Sequence, residues 1–561
     1  MGDIDRSRSH KVKAIFIIGL NDGVFPSVRK DEGFLNDADR EILKQDGIEL
    51  AKGTIDKLYE DNFNIYKAFT TAENQIYLSY VSSDCDGKSL RPSILIGKIK
   101  KMYPKLQEKS DVIYKEYKVE NKISTYEQLI ENISRLRNKE KIDDVWYYIY
   151  QYYKSQSDWN KKLEADLKGL EYTNLPEKIK KENLEKLYGN TLNTSISRLE
   201  KYRSCPFSYY LQYGLKLKEK EQLKIQSFNT GSFMHETIDE FFEYVRQEGL
   251  SLAELEEEQI TRIVSEIIEN NLKMSKNYIF TATAKYKVLV RRLKKIVSKA
   301  LKYIIETIIY SDFSIEGTEV EFGKNGRYKP IVLEIGEGKK VEITGKIDRI
   351  DTSKNEDGKY LRIIDYKSSA KNIDLNEVYA GLQIQLLTYT DAICREEDIM
   401  PAGVFYFSLL EQMVKADKKM TEDEIEETIR KNFKMKGLII ADVKIIKMND
   451  NTLKTGNSKL VPAALTTSGT INEKWTNGVK AEEFRTLQEY IYKTIKDISK
   501  EILSGNIDLK PYYKKGKTPC QYCEYKAVCG FNSRQENNTY NYIEQKSKDE
   551  ILLKMKKNLE E

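Results

Sequence analysis

Four of the six cysteines in this 561-residue chain limit how it can fold. Cys520, Cys523 and Cys529 are spaced C-x2-C-x5-C, and Cys205 stands far upstream in Ser204-Cys205-Pro206-Phe207. Six cysteines in so long a chain do not make a disulfide framework, and a tight trio reads more readily as a metal site. Three states are open to the four thiols. Zn²⁺ takes four thiolates tetrahedrally, commonly from two short C-x2-C knuckles. An iron–sulfur cluster also takes four and tolerates irregular spacing. Free buried thiols are the third state. If the four converge on a metal, the chain between Cys205 and Cys520 is clipped at both ends, and losing the clip loosens the whole domain. Cys85 and Cys394 lack such neighbours and read as packing residues.

The length predicts two to four domains rather than one core. With 40% hydrophobic residues the chain can fold, and no apolar run approaches the eighteen or so residues of a membrane span. Met1 to Arg6 has no basic stretch leading into an apolar one, so secretion is not expected and a cytoplasmic location is. Net charge is +5, from 93 basic and 88 acidic residues. That balance does not decide function, and the abundance of Lys, Ile, Tyr and Asn is what an AT-rich genome produces.

The fold class expected is α/β. Val12 to Leu20 is a short apolar run ending in Gly19-Leu20, which suits a buried parallel strand, and Asn21 to Pro26 follows as a loop. A helical stretch over Asp39–Phe69 and a strand over Gln75–Val81 come next. Two strands cannot fill an α/β sheet, so residues 1–100 read as part of a larger domain. Residues 101–190 are charged and Tyr-rich with a helical period, as in Asp143–Tyr153, and read as a helical connector. From 191 to 310 the pattern is helical. Ser195 starts one helix, with Ile196, Leu199 and Tyr202 on one face, and Val288–Ile309 is long and amphipathic. Its basic cluster, Arg291, Arg292, Lys294 and Lys295, reads as a solvated face or as a phosphate path. Strands follow at Ile315–Phe322, Ile331–Ile335, Val341–Asp351 and Tyr360–Tyr366, then a helix over Tyr379–Ala392 and a strand over Gly403–Ser408.

Within those strands sits a set of polar residues that suits phosphodiester hydrolysis. That reaction needs an attacking water, neutralisation of charge on phosphorus and help for the leaving oxygen, all of which Mg²⁺ or Mn²⁺ supplies when carboxylates hold it. Asp348 and Asp365 lie on two strands joined by a hairpin. Lys367 follows Asp365 by two residues, so strand period two puts both on one face, with the ammonium beside ion and phosphate. Glu319, or Glu321 two residues on, could add a carboxylate. His235, one of two histidines, stands at the start of a helix and could ligate the ion or cap that helix. Gln385 and Tyr389 are four apart on the following helix, hence on one face and able to reach DNA. Each element alone is commonplace; the case rests on their order and spacing together.

That combination resembles the nuclease domain of the RecB/AddB type in the PD-(D/E)xK superfamily. The matching stretches are SISRLEKYRSCPFSYYL, TGSFMHETIDEFF, GKIDRID, IIDYKSS and GLQIQLLTY, within residues 191–535. The resemblance implies a restriction-endonuclease-like fold. It also implies catalytic or metal-binding roles for His235, Asp348, Asp365 and Lys367, with Glu319 as a further ligand and Gln385 and Tyr389 as helpers. The anchors around Cys205-Pro206-Phe207 and Pro519-Cys520 resemble those of iron–sulfur nucleases, which implies one [4Fe–4S] cluster on Cys205, Cys520, Cys523 and Cys529, acting as a staple rather than a redox centre. Residues 536–561 are left as a helical tail.

The front stretch GDIDRSRSHKVKAIFIIGLNDGVFPS resembles the last motor domain of AddB-type proteins of ATP-dependent helicase–nucleases, a partial RecA-like helicase domain. Active motors of that superfamily carry a Thr-Arg-Ala motif before the strand resembling Gln75–Val81. Here Thr70-Thr71-Ala72 stands in its place, and no G-x-x-x-x-G-K-[ST] loop occurs, so ATP hydrolysis by this chain is not expected. The resemblance implies an exonuclease acting on linear duplex ends and single strands of DNA in double-strand-break repair. It degrades the 5′-ended strand and pairs with an AddA-like, ATP-hydrolysing subunit. A non-catalytic DNA-binding scaffold is the alternative, and a stand-alone iron–sulfur exonuclease fits the motor-like N-terminus poorly.

Overall fold

The computed structural model describes residues 2–3, 11–27, 35–48, 50–84, 87–110, 119, 121–138, 140–171, 173–220, 225, 227–336, 338–410, 420–533 and 537–560. Cys85, residues 4–10 of the front stretch and the boundary at 535 lie outside the described residues. Two compact units divide at Leu167/Lys168.

In the first unit, β1 (Val12–Ile17) and β2 (Ala72–Leu78) pair in parallel, with Ala14 opposite Gln75 and Ile17 opposite Leu78. The crossover between them contains two helices, α1 (Asp37–Gln45) and α2 (Thr54–Thr70), where the sequence suggested one stretch over Asp39–Phe69. Local capping explains the difference: Asn36 and Asp39 form a capping box that starts α1, and Gly47 takes φ +81 just past its end. After α3 (Ile94–Met102) come α4 (Lys122–Arg137), α5 (Val145–Ser155) and α6 (Ser157–Glu171). Tyr126, Leu129, Trp146, Tyr153 and Leu163 from α4–α6 form a core of their own. Within the stretch expected to be a connector, α7 (Lys181–Tyr188) falls in the second unit, where the preceding Ile179 N–H donates to Gly505 O at 3.0 Å.

The second unit is organised around a mixed sheet of six strands. These are β4 (Ser314–Phe322), β7 (Gly345–Asn355), β8 (Gly358–Lys367), β9 (Met400–Ser408), β10 (Lys436–Ile440) and β13 (Gly478–Val479), side by side in the order β4-β7-β8-β9-β10-β13. β4, β7 and β8 form an antiparallel meander, and β8 pairs with β9 in parallel. Strand alternation sends side chains to two separate cores. Along β9, Ala402, Val404 and Tyr406 enter one, while Phe405 and Phe407 enter the other. The first core is covered by α8 (Ile196–Ser204), α14 (Gln385–Glu397), α17 (Ala481–Leu503) and α19 (Lys548–Glu560). The second is covered by α10 (Ser227–Gln247), α11 (Glu257–Asn271), α12 (Ala284–Ile309) and α15 (Glu422–Phe433), while α16 (Val443–Asn449) reaches both, with Ile445 and Met448 in the first and Ile446 in the second. Both faces of the sheet are thus buried, as its near-continuous apolar strands require. Smaller pieces include α9 (Pro206–Tyr209), α13 (Leu375–Tyr379), α18 (Lys526–Cys529) and the short pair β11 (Gly456–Asn457) and β12 (Ala464–Leu465). Residues of α19 are no loose tail: Ile551, Leu552 and Met555 are buried in the first core. Among the described residues no helix is long and apolar enough to cross a membrane.

Three sequence expectations are corrected here. Val341–Asp351 is not one strand: β6 (Lys339–Ile343) joins β3 (Thr191–Thr194) and β5 (Ile331–Gly336) in a small separate sheet, and the chain passes through Thr344 into β7. Thr344 N–H donates to Thr194 O at 3.0 Å, ending that small sheet's ladder before the main one begins. The helix expected over Tyr379–Ala392 breaks between α13 and α14, where Gly381 takes φ +76 with Arg203 Cγ 2.9 Å from the place of a Cβ. His235 lies well inside α10 rather than at a helix start, so it is no cap. On α12 the basic cluster is a solvent-facing one, with Arg291, Arg292 and Lys295 exposed and Lys294 paired to Glu269 at 2.8 Å.

Between sheet and α12 lies a buried ionic network. Arg349 donates from Nε and Nη2 to the two carboxylate oxygens of Asp351, both at 2.6 Å, and Arg362 Nε donates to Asp351 Oδ2 at 2.8 Å. Arg362 also reaches Thr307 O at 3.0 Å, Ser311 Oγ at 3.2 Å and Asn449 Oδ1 at 3.2 Å. Removing one partner of such a set leaves buried charge uncompensated. Asp351→Ala is expected to cost about 3–5 kcal/mol of stability, read as a lowered midpoint in urea unfolding.

Candidate active site

Four elements bring polar side chains to one end of the sheet. Asp348 on β7 and Asp365 on β8 lie one residue beyond the paired Arg349 and Ile364, and Asp348 Oδ2 accepts from Tyr366 N–H at 2.7 Å. His235 of α10 points its Nδ1 at Asp348 Oδ2 (3.4 Å) and Glu319 Oε1 (3.9 Å). Lys367 Nζ stands 2.5 Å from Asp365 Oδ2. Of Glu319 and Glu321, it is Glu319 whose carboxylate lies with His235 and Asp348, while Glu321 is exposed. Glu319 gets there by leaving regular strand geometry: its φ is +48, in the left-handed region that a non-glycine residue occupies at a cost of about 1–3 kcal/mol.

The electrostatics follow from crowding. Burial first, and then the charge of Asp348, raises the Asp365 carboxyl above its usual range, against the pull of Lys367. Burial likewise raises Glu319, opposed by Lys346, whose Nζ bonds Glu319 Oε2 at 2.6 Å. For His235, burial disfavours the imidazolium, yet the hydrogen bond and charge of Asp348, with Glu319 and Asp365, outweigh it and lift its pKa. A divalent cation fits this set. One ligand atom each from His235, Glu319 and Asp348 lie within 4.8 Å of one another, and imidazole and carboxylate donors suit Mg²⁺ or Mn²⁺.

Gln385 is the first residue of α14 and is partly buried. Tyr389, one turn on, is buried; its ring stacks on Phe322 with centroids 5.3 Å apart. A Cβ on Gly345 would lie 2.0 Å from the Tyr389 hydroxyl, so only glycine lets this tyrosine close against the start of β7. Tyr389 is thus packed against the strand that leads to Asp348. Sequence reasoning missed four further groups. Lys346 precedes Asp348 by two residues, the same spacing that singled out Lys367, and was there to be found. Tyr406 lies opposite Asp365 only through the parallel β8–β9 register, and Lys371 Nζ sits 5.0 Å from its ring centroid. Glu200 of α8 accepts from Ile384 N–H at 2.8 Å and Gln385 N–H at 3.0 Å.

The four cysteines singled out above line one cavity of about 30 Å³ with Phe207, Leu509 and other largely apolar neighbours, and none is in a disulfide. Cys205 ends α8 and precedes α9, whose first residue is Pro206, favoured at that position. Cys520 follows Thr518, whose hydroxyl caps the next short turn, and Cys529 closes α18 before Gly530 at φ +59. Asn174 Nδ2 donates to both Cys529 O and Gly530 O at 3.1 Å, tying the cysteine loop down. Burial is the main cause that pushes the Cys205 thiol up to about 11, a cost that a metal bound by thiolates would offset. Four thiols lining one largely apolar hollow supply the donor type that a thiolate-bound metal takes, although their sulfurs are not drawn together as closely as the ligand atoms of His235, Glu319 and Asp348. Cys394 is only partly buried, packs beside the first core and has no such company.

A hairpin carrying paired aspartates, a lysine two residues on and a helix laid across them define a class of nuclease. The family model described as "PD-(D/E)XK nuclease superfamily" matches residues 193–530, and the chain belongs to that superfamily, whose fold implies use of a divalent metal. Residues 116–169 match the model for the "ATP-dependent helicase/deoxyribonuclease AddB fifth domain". More particularly, the chain is similar to the B component of the ATP-dependent helicase/deoxyribonuclease of Clostridium novyi, at 38% identity over 100% of this chain and 50% of that protein. The corresponding proteins of Acetivibrio thermocellus (38%, over 100% of this chain and 50% of its own length) and Ruminiclostridium cellulolyticum (37%, over 98% and 49%) are similar as well. This chain thus spans about half the length of these relatives.

A ligand that binds only the folded state raises the unfolding midpoint. Saturating Mg²⁺ or Mn²⁺ is expected to stabilise the protein by about 2–4 kcal/mol in scanning calorimetry, and Asp348→Asn to abolish that gain.

Proposed function

We propose that this chain is the deoxyribonuclease part of an AddAB-type helicase–nuclease, a Mg²⁺-dependent exonuclease that processes double-strand DNA ends for recombinational repair in the cytoplasm. The observation that carries the reading is the meeting of Asp348, Asp365 and Lys367 with His235 and Glu319 at one sheet end. His235, Glu319, Asp348 and Asp365 would hold the ion, whose chemistry when bound is to polarise the phosphate and acidify a water. Lys367 Nζ, ion-paired to Asp365, would orient the water by donating a hydrogen bond and would offset charge on the phosphoryl oxygens. Gln385, at a helix N-terminus, is suited to a phosphate oxygen, and Tyr389 holds Gln385 in place. By the resemblance the strand degraded is the 5′-ended one.

The rest of the assignment rests on the resemblance. Residues 1–100 belong to a motor-like domain without ATPase activity, and the helices that follow, up to Leu167, are a connector. The nuclease, expected over 191–535, also takes in α7, and 536–561 extends it with a helix. An AddA-like subunit forms a heterodimer with this chain and supplies ATP hydrolysis. Cys205, Cys520, Cys523 and Cys529 hold a [4Fe–4S] cluster as a clip on the nuclease domain.

Two measurements test this. With linear DNA and Mg²⁺, Asp365→Ala is expected to lose cutting by about three orders of magnitude or more while DNA binding persists; a wild-type protein that binds but never cuts would favour the scaffold reading instead. Anaerobically purified protein should be brown, absorb near 400 nm and lose that band in Cys523→Ser together with several degrees of thermal midpoint. A colourless, zinc-containing protein would replace the cluster with Zn²⁺.

A further inference from the structure

Glu200 is a charged side chain for which the reading above has no task. It projects from α8 to the start of α14, where one carboxylate oxygen, Oε1, accepts both the Ile384 and the Gln385 N–H. α14 has no cap of its own, since the residue before it is Ile384, whose side chain accepts nothing. A carboxylate at this place satisfies orphaned donors and is favoured by the helix dipole. The cap is therefore supplied by another helix, from far away in sequence.

Where that cap sits governs more than the helix. Gln385 is the first helical residue, and Tyr389, one turn on, closes on Gly345 and Phe322 with little room to shift. Glu200 also faces the lysine side of the site: Lys371 and Lys367 favour its ionised form, although burial, the larger influence, lifts it to about 7. We propose that Glu200 is a positioning residue of the nuclease site, a cap supplied in trans that sets the start of α14 and so the places of Gln385 and Tyr389. Its effect on cutting rests on the nuclease reading; the clamp itself rests on geometry alone.

The whole chain serves for the test. Glu200→Gln keeps an acceptor oxygen and removes the charge, and Glu200→Ala removes both. In Glu200→Ala, hydrogen–deuterium exchange in the peptide spanning 380–390 is expected to speed up about fivefold or more, and in Glu200→Gln to return close to wild type. On linear DNA with Mg²⁺, kcat should fall about ten- to a hundredfold in Glu200→Ala with KM within about twofold, and Glu200→Gln should recover most of it. Should the alanine variant not fold, Glu200→Asp, with its carboxylate drawn back by one methylene, takes its place. Unchanged exchange in the alanine variant, or a glutamine variant as impaired as alanine, overturns the proposal. A wild-type protein that does not cut DNA defeats the nuclease reading, while the exchange comparison still judges the clamp.

Discussion

Asp351 lies between two arginines with no solvent to share the charge, and the nuclease unit is arranged around that fact. Burying three charged groups costs several kcal/mol per ion unless each finds its partners. Asp351 and Arg349 are on β7 and Arg362 is on β8, directly opposite Asp351, so the pairing is satisfied in one strand register. A slip by one residue would send every side chain of the strand to the wrong face and leave Arg362 facing apolar groups. Asp348 and Asp365 lie on the same two strands, a few residues along. Their adjacency is inherited from a network that takes no part in chemistry.

At the site itself the balance is reversed. Three carboxylates are held closer than they would choose, with two lysines as partial counter-charges: Lys346 on Glu319 and Lys367 on Asp365. Glu319 holds a backbone conformation that strands avoid, and it is kept there by the surrounding sheet. Strain and like-charge crowding at one place, with tightly satisfied ion pairs a few residues away, is the pattern of a structure that spends stability locally to prepare a cation site.

Much of this was legible in sequence. Strand period two placed Asp365 with Lys367, apolar flanks marked the strands, and the cysteine trio and Cys205, singled out by spacing, line one cavity. What could not be read were matters of tertiary packing. Nothing local says that Thr344 separates two sheets, because the apolar alternation runs straight through it. Glu319 and Glu321 cannot be told apart when both lie two apart on an assumed regular strand; it is the fold that brings a carboxylate oxygen of Glu319 beside His235 and Asp348. Tyr406 and Glu200 act across parallel pairing and across two helices, contacts without any trace in spacing. Tyr389 was placed on the correct face of its helix, but its burial depended on a glycine more than forty residues earlier.

Cys205 and α8 belong to the opening part of the nuclease unit, whereas the cysteine loop and α19, which adds Ile551, Leu552 and Met555 to the first core, follow hundreds of residues later. During synthesis, then, that core stays open on one side until α19 emerges. Contacts of such long sequence separation form slowly, and the half-made product is open to aggregation or to chaperones. The same arrangement orders events within one chain: the acids gathered at the sheet end are all translated before α19, so they exist as sequence before the fold that brings them together is complete.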